Sequence, residues 1–284
     1  MTETRKHIDA YCARISYAGP PSPTLAVLDE LVLAHTTTIP FENVDVLLKR
    51  PIRLDLPSLY EKLVYRRRGG YCFEHNLLFL DVLGAFGFRA HGLAARVTWG
   101  RPPGAIVPRT HMLLRVDLTD GPYLADVGFG GITPTAPLAL RPQAIQPTAH
   151  GTFRLVEGPD EFALEVRAGE RWIGLYRFSL QPQLPVDYEV ANWFTATHPQ
   201  SLFVNHLVAC RAEGAQRLAL FNNRLTIRDS DGASGGQRIL TSLDDFAELL
   251  GERFGIGSLD LGDIAAIAAI ATAQAAHPSP FESG

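Results

Sequence analysis

Cysteine is scarce in this chain: three in 284 residues, Cys12, Cys72 and Cys210. An odd, sparse set excludes a disulfide-stapled secreted scaffold and suits a reducing compartment. Long apolar runs are missing too. The opening MTETRKHIDAYCARIS is charged and lacks the apolar stretch of a signal peptide. The longest weakly polar run, IAAIAAIATAQAAH, is too short and too rich in alanine to span a bilayer. Neither charge sign dominates. A formal net charge of −4 implies no global attraction to nucleic acid or anionic membrane, and the basic run Arg66–Arg68 is too short to change that. No pair of cysteine pairs has structural-zinc spacing; Cys72 and His75 form one loose pair. The expectation is a cytoplasmic protein with no metal, no nucleic-acid partner and no membrane contact.

What is present is a sizeable core. The chain is 46% hydrophobic and 20% charged, and its length suits roughly two domains. No internal repeat appears. The first third reads helical. SPTLAVLDELVLAHTT opens on Ser22 and Pro23, a cap and a first-turn proline, with Leu25, Leu28, Leu31 and Val32 at helical spacing. PSLYEKLVYRR and CFEHNLLFLDVLGAFG predict two more helices, the last stopped by Gly87. From Phe88 to about Ser179 the segments are short, β-branched and aromatic, which predicts a modest β-barrel or sandwich. Asp120-Gly121 marks a hairpin between THMLLRVDL and PYLADVGF. Beyond that, SLFVNHLVACRA and RLALFNNRLTIRD read as strands, and SGG as a loop. TSLDDFAELLGERFG reads as a helix capped by Ser242, followed by an alanine-rich helix over 259–276 and a frayed tail HPSPFESG.

One segment concentrates chemistry. RRRGGYCFEHN places Cys72 at the start of a helix, behind Gly69 and Gly70. Unpaired backbone N–H groups and the helix dipole put partial positive charge there, which favours a nucleophilic thiolate, and the glycines allow close approach of a substrate. Taken alone, Cys72 could equally be a small buried hydrophobe, the ordinary role of a free cysteine and the one expected of Cys12 and Cys210. A reactive thiol needs a base. Of nine histidines, His111 opens an apolar strand, and the next strand carries Asp126 between apolar neighbours, where an isolated carboxylate is costly without a partner. A turn centred on Asp120-Gly121 puts Asp126 opposite Arg115 and on the same face as His111. The two are then offset by four residues, roughly 13 Å, so a simple hairpin does not join them, and a bulge, a bend or another register must close the gap.

These motifs, in order, carry a resemblance. HTTTIPFENVDV from His35, RGGYCFEHN, THMLLRVDL, YLADVGFGG and the later NWFTATHPQSLF together resemble the arylamine N-acetyltransferases, over about residues 8–250 and with no departure at the motif cores. The resemblance implies an α+β multi-domain fold with a cysteine-protease-like catalytic core. Its parts would be an N-terminal helical bundle (1–88) carrying the nucleophile, a central β-barrel (89–192) carrying base and acid, and a C-terminal α/β lid (193–284). It implies a catalytic triad of Cys72, His111 and Asp126. Acetyl-coenzyme A would be the cosubstrate, with no permanently bound cofactor, and the acceptor an arylamine, arylhydrazine or N-hydroxyarylamine. Phe41, Tyr71, Val97, Phe129 and Phe203 match positions lining the acceptor pocket, although each could also be core packing. Thr110, Gly130 and Gly131 are the coenzyme A contacts it suggests.

The expected chemistry is ping-pong transfer through an acetyl-cysteine, with the Cys72 backbone N–H as an oxyanion donor. Arg68 and Glu42 are expected to pair and pin the glycine turn. His75 and Asn76 are expected to hydrogen-bond nearby backbone. Rival readings keep the triad but change the reaction. One takes a larger acyl donor or forms an amide in biosynthesis; another is a cysteine hydrolase or transglutaminase-like enzyme. A non-catalytic binding module would leave all three residues without a role.

Overall fold

The first third of the chain, with its apolar residues at helical spacing, folds mainly into helices. The computed structural model describes residues 3–277 apart from 103 and 230–233. Helices α1 (Glu3–Arg14), α2 (Leu25–Thr38) and α5 (Cys72–Ala85) bury Tyr11, Leu28, Leu31, Phe73, Phe79 and Val82 against one another. Between them lie α3 (Val44–Leu47) and α4 (Leu56–Leu59). The cap of α2 is Thr24, whose hydroxyl accepts the Val27 N–H, so the helix begins two residues later than Ser22-Pro23 suggested; Pro23 precedes the cap. The helix predicted from PSLYEKLVYRR is only four residues of α-helix. It then widens into a π-helical turn over Tyr60–Tyr65 that bears Lys62. Gly87, at φ 84°, ends α5, with the Phe88 N–H reaching back to the Leu83 carbonyl at 2.9 Å.

Alternating sequence takes over from Arg89. Strands β2 (Arg89–Val97), β3 (Arg109–Leu118), β4 (Gly121–Ala125), β5 (Leu138–Ala139), β6 (Gln146–Thr148), β7 (Gly151–Glu157), β8 (Phe162–Ala168) and β9 (Arg171–Phe178) form one sheet, ordered β5-β4-β3-β2-β9-β8-β7-β6. This eight-stranded sheet curls into a nearly closed barrel. Across the seam the Gln146 amide bonds both backbone groups of Ala139, donating to its carbonyl at 3.0 Å and accepting its N–H at 2.7 Å. Leu93, Leu113, Leu124, Phe153, Leu164 and Phe178 fill the barrel, while Met112, Leu114 and Val116 on the other face of β3 pack against the helices. The period-2 rule therefore splits β3 into a barrel face with odd numbers and a helix face with even ones.

After the barrel, α6 (Pro185–Thr197) runs through a stretch that the sequence left unassigned. The first half of SLFVNHLVACRA, expected as strand, is the short helix α7 (Leu202–Asn205). Strands β10 (Val208–Glu213), β11 (Gln216–Phe221), β12 (Arg224–Asp229) and β13 (Ser234–Ile239) follow, and β1 (Phe41–Glu42) from the helical segment forms the edge beside β10. SGG lies within β13 rather than in a loop. Ser242 caps α8 (Leu243–Glu248) by accepting the Asp245 N–H, and α9 (Leu261–Ala273) closes the described chain. Of the expected frayed tail, residues 278–284 lie outside the described residues. Among those residues no helix is long and apolar enough to cross a membrane.

The turn before Cys72 rests on buried charge. Arg68 reaches Glu42 at 2.8 Å and Asp45 at 3.2 Å, and Lys62 reaches Asp45 at 2.8 Å and Glu74 at 2.7 Å. The expected Arg68–Glu42 pair is thus one edge of a network. Gly69 lies against it so closely that a Cβ there would sit 1.9 Å from the Pro40 carbonyl oxygen. Removing one partner of a buried pair leaves an uncompensated charge, which costs about 3–5 kcal/mol. Arg68→Met is expected to lose about that much in urea unfolding; a loss below about 1 kcal/mol would show that the network is not holding this turn.

Candidate active site

Cys72 is the first residue of α5 and is 4% exposed. The capping residue Tyr71 donates its backbone N–H to the Glu74 carboxylate at 3.0 Å, which fixes where the helix begins. N–H groups of a first turn have no intrahelical acceptor, so those of Cys72 and its neighbours polarise the space around the sulfur. The thiol lies 3.6 Å from the Thr110 carbonyl, which ties the helix start to the first residues of β3.

His111, the third residue of β3, meets Asp126 directly, Nε2 to Oδ2 at 2.7 Å. The four-residue offset expected from the hairpin is corrected by its register. Leu118 pairs with Gly121 and Leu114 with Ala125, so the turn centres on Thr119-Asp120, one residue earlier. Gly121, at φ 135°, begins the strand instead of closing the turn. Continuing that register puts Asp126 across from Leu113. The parity is unchanged, and the offset from His111 falls to two residues, a diagonal neighbour within side-chain reach. Both residues lie on the barrel face, with Leu113 and Leu124, at the mouth of the barrel.

Electrostatics follow from this geometry. Burial alone would lower the pKa of the His111 imidazolium. The charge and hydrogen bond of Asp126, and then contact with Cys72, outweigh it and raise the pKa to about 10. With Nε2 engaged by Asp126, Nδ1 is the nitrogen left for the thiol. Burial pushes the Asp126 carboxyl up, but His111, the Gly128 N–H and the Tyr176 hydroxyl together bring it below its ordinary value. Asp126 accepts from four donors: His111, Tyr176 at 2.9 Å, Gly128 at 3.0 Å and Asn76 at 3.3 Å.

Asn76 does more than hydrogen-bond nearby backbone. One turn after Cys72, its amide donates to the carbonyls of Cys72 (3.2 Å) and Met112 (2.8 Å), while its oxygen accepts the Val127 N–H (3.3 Å). It locks helix, strand and acid together. Gly128 lies so close that a Cβ would sit 2.8 Å from both the Cys72 Cα and the Asn76 amide nitrogen. His75 joins a buried relay. Its Nε2 donates to the Pro40 carbonyl (3.1 Å), so its Nδ1 accepts from His35 Nε2 (2.8 Å), and His35 Nδ1 accepts from the Tyr11 hydroxyl (2.7 Å). A carbonyl only accepts, so every proton in the chain has one place. Burial lowers both imidazole pKa values, that of His75 to about 4, which keeps the relay neutral.

The expected pocket residues fall into two packed groups. Phe129 stands edge-on to His111, ring centres 5.1 Å apart, and packs on Tyr176 and Trp99. Val97 pairs with Tyr176 at the end of β2. In the second group, Phe203 packs against both Phe41 and Tyr71 at 5.8 Å. Phe41 also stacks on His75, and the Tyr71 hydroxyl is held by Asn192. Gly130, at φ 88°, passes over the Phe41 ring. The Gly131 carbonyl accepts from Arg217 at 3.3 Å.

Arg217, Tyr176 and Asn222 were not singled out from sequence. Buried Arg217 also donates to the carbonyls of His150 (2.7 Å) and Thr133 (2.8 Å), so one guanidinium shapes the loop after Asp126. An arginine on the apolar strand QRLALF is the one signal that could have marked it. Asn222 accepts the Leu207 N–H at 3.1 Å and braces the chain between α7 and β10. Cys210 is 1% exposed, and burial pushes its thiol up to about 12; Cys12 also lies away from the triad, in α1. Among the described residues no group of three or more histidine, cysteine or acidic side chains is placed to hold a metal ion.

Fold and site together define a class: an α+β protein whose barrel presents a buried imidazole–carboxylate pair to a thiol at a helix start. An N-acetyltransferase family model matches residues 24–262. The arylamine N-acetyltransferase of Mycobacterium tuberculosis is 44% identical over 265 residues, covering 92% of this chain and 93% of that protein. A protein of Salmonella typhimurium named arylamine N-acetyltransferase / N-hydroxyarylamine O-acetyltransferase is 40% identical, covering 98% of both chains. The solved structure of Mycobacterium marinum arylamine N-acetyltransferase in complex with CoA superimposes with a TM-score of 0.88 at 41% identity, covering 93% of this chain and 98% of that one. The chain belongs to the arylamine N-acetyltransferase family and is an acyl-CoA-dependent N-acetyltransferase.

Proposed function

We propose that the enzyme moves an acetyl group from acetyl-CoA to an arylamine, arylhydrazine or N-hydroxyarylamine, through an acetyl-cysteine at Cys72. The observation that carries this reading is the His111–Asp126 contact with Cys72 on the remaining imidazole nitrogen. In the first half-reaction the Cys72 thiolate attacks the thioester carbonyl and a carbon–sulfur bond forms. The bond to the coenzyme A sulfur breaks, and that sulfur takes the His111 proton as it leaves. In the second, the amine attacks the acetyl-cysteine. His111, now neutral, accepts the amine proton, and the Cys72 thiolate departs beside a restored imidazolium. Asp126 holds the ring and stabilises its charged form. The Cys72 N–H at the start of α5 is the oxyanion donor.

Acceptor and donor are drawn from the relatives' names. The Salmonella protein is named for both arylamine and N-hydroxyarylamine chemistry, and the marinum structure holds CoA. Aromatic rings of Phe41, Tyr71, Phe129 and Phe203 suit a flat acceptor, with Val97 at the margin. Thr110, Gly130 and Gly131 are read as donor contacts. Segments 1–88, 89–192 and 193–284 are read as bundle, barrel and lid around a cysteine-protease-like core. Cytoplasmic action on foreign aromatic amines fits this reading.

The test is acetyl-CoA turnover with a panel of aryl amines and hydrazines. Coenzyme A release that continues only with an amine supports acyl transfer. Sustained release without amine would move the enzyme to the hydrolases. A second check uses thiol labelling. His111, raised from its ordinary value to about 10, stays protonated through neutrality, so Cys72 has a cationic partner there. Iodoacetamide labelling of Cys72 is expected to fall at least roughly 100-fold at pH 7 in His111→Ala. Equal labelling of the two proteins at pH 7 would remove His111 as the partner.

A further inference from the structure

Positive charge collects at one place away from Cys72. A cavity of about 490 Å³ opens between α1, the end of α2 and the chain that follows α8. Arg14, Arg67 and Arg211 line it, and none of its lining residues is an acid. This concentration stands against an overall net charge of −4.

Each arginine is incompletely compensated. Arg14 is 6% exposed and, among the described residues, donates only to neutral carbonyls, Leu63 and Thr38, both at 3.4 Å. Arg211 donates to the Phe254 carbonyl at 3.2 Å and to Glu213 at 3.1 Å, and Glu213 is shared with Arg253. Its Nε is buried with no hydrogen-bond acceptor. Arg67 is held left-handed, at φ 53°, while its carbonyl accepts the Gly257 N–H at 3.2 Å. At Gly257 a Cβ would sit 2.7 Å from the Arg66 carbonyl, so only glycine lets the two chains clasp this closely. Burial, and then the neighbouring charges of Arg67 and Arg211, lower the Arg14 pKa to about 10, as expected of clustered cations without a counter-ion.

We propose that this cavity is a binding site for a phosphoryl group, held between Arg67 and Arg211 above the buried Arg14. Guanidinium forks match phosphate oxygens in pairs, and the terminal nitrogens of Arg67 and Arg211 are the donors the cavity offers. The phosphoryl group could be free phosphate or part of a larger phosphate ester such as coenzyme A.

Calorimetric titration with inorganic phosphate, in chloride buffer of matched ionic strength, tests the proposal on the full chain. One saturable equivalent is expected in the wild type. Arg67→Asn, which keeps a residue tolerant of left-handed backbone, and Arg211→Gln should each weaken binding at least fivefold, with unfolding midpoints confirming that both variants fold. A titration that never saturates, or one unchanged in both folded variants, overturns the site. Repeating it with saturating coenzyme A identifies the source: displacement of phosphate assigns the site to the phosphates of coenzyme A, and undisturbed binding assigns it to a separate anion.

Discussion

Cys72→Ala is expected to abolish acyl transfer, with kcat/KM reduced by about 10⁵-fold or more and the fold retained. The sulfur forms the only covalent bond between enzyme and acetyl group in the proposed reaction, and no second nucleophile stands in for it. Cys210 is sealed in the sheet beside Gly131, its thiol pushed up by burial, and Cys12 lies in α1. Alanine removes a single buried atom at a helix start whose cap, the Tyr71 N–H to Glu74, does not involve the thiol. Steady-state rates with an arylamine, beside a thermal melt, make the comparison. Activity within about 100-fold of wild type in the alanine variant would exclude the covalent route.

Asp126→Asn should reduce kcat by roughly 10³–10⁴-fold while keeping the side chain's shape. All four groups around the carboxylate donate: His111, Tyr176, Gly128 and Asn76. An amide cannot accept on its nitrogen, so it strands donors or forces His111 into the other tautomer. Without the carboxylate, burial is the main influence left on His111 and lowers its pKa. The sign is then clear. The imidazolium that persists to about pH 10 in the wild type would be lost at neutral pH in the variant, and labelling of Cys72 would fall with it. Stability should fall also, by about 1–3 kcal/mol for each stranded donor. A variant within tenfold of wild-type kcat would mean that Asp126 does not govern the imidazole.

How far this was legible in the sequence depends on the range of the interactions involved. The helical start, the strand-rich middle and the Ser242 cap were readable because each rests on contacts between residues a few positions apart. His111 and Asp126 were placed on one face by parity, and of the ways left open to close the gap between them the register does it, because the turn lies at Thr119-Asp120 rather than Asp120-Gly121. Such a shift leaves facing unchanged while moving partners by two residues. Asn76, Tyr176 and Arg217 have their decisive partners 36 to 84 positions away, so no local pattern announces them. Helix α6 was hidden for another reason. Its cap position is Leu184, which offers no side-chain acceptor, so no polar start signal marks it. β13 was read as a loop because its glycines signal a break. They lie instead beside a bulge at Ile227/Arg228, where glycine is at home in a strand.

The acetyl group is proposed to rest on Cys72 between donor and acceptor, and every other step depends on that. The most direct measurement is intact-protein and peptide mass spectrometry after mixing the enzyme with acetyl-CoA and no amine. One acetyl group per chain is expected, carried by the peptide containing Cys72, with one equivalent of coenzyme A released in a burst. An arylamine added afterwards should discharge it. Coenzyme A release that begins only when the amine is present, with no acetyl on Cys72 at any time, would contradict the covalent route.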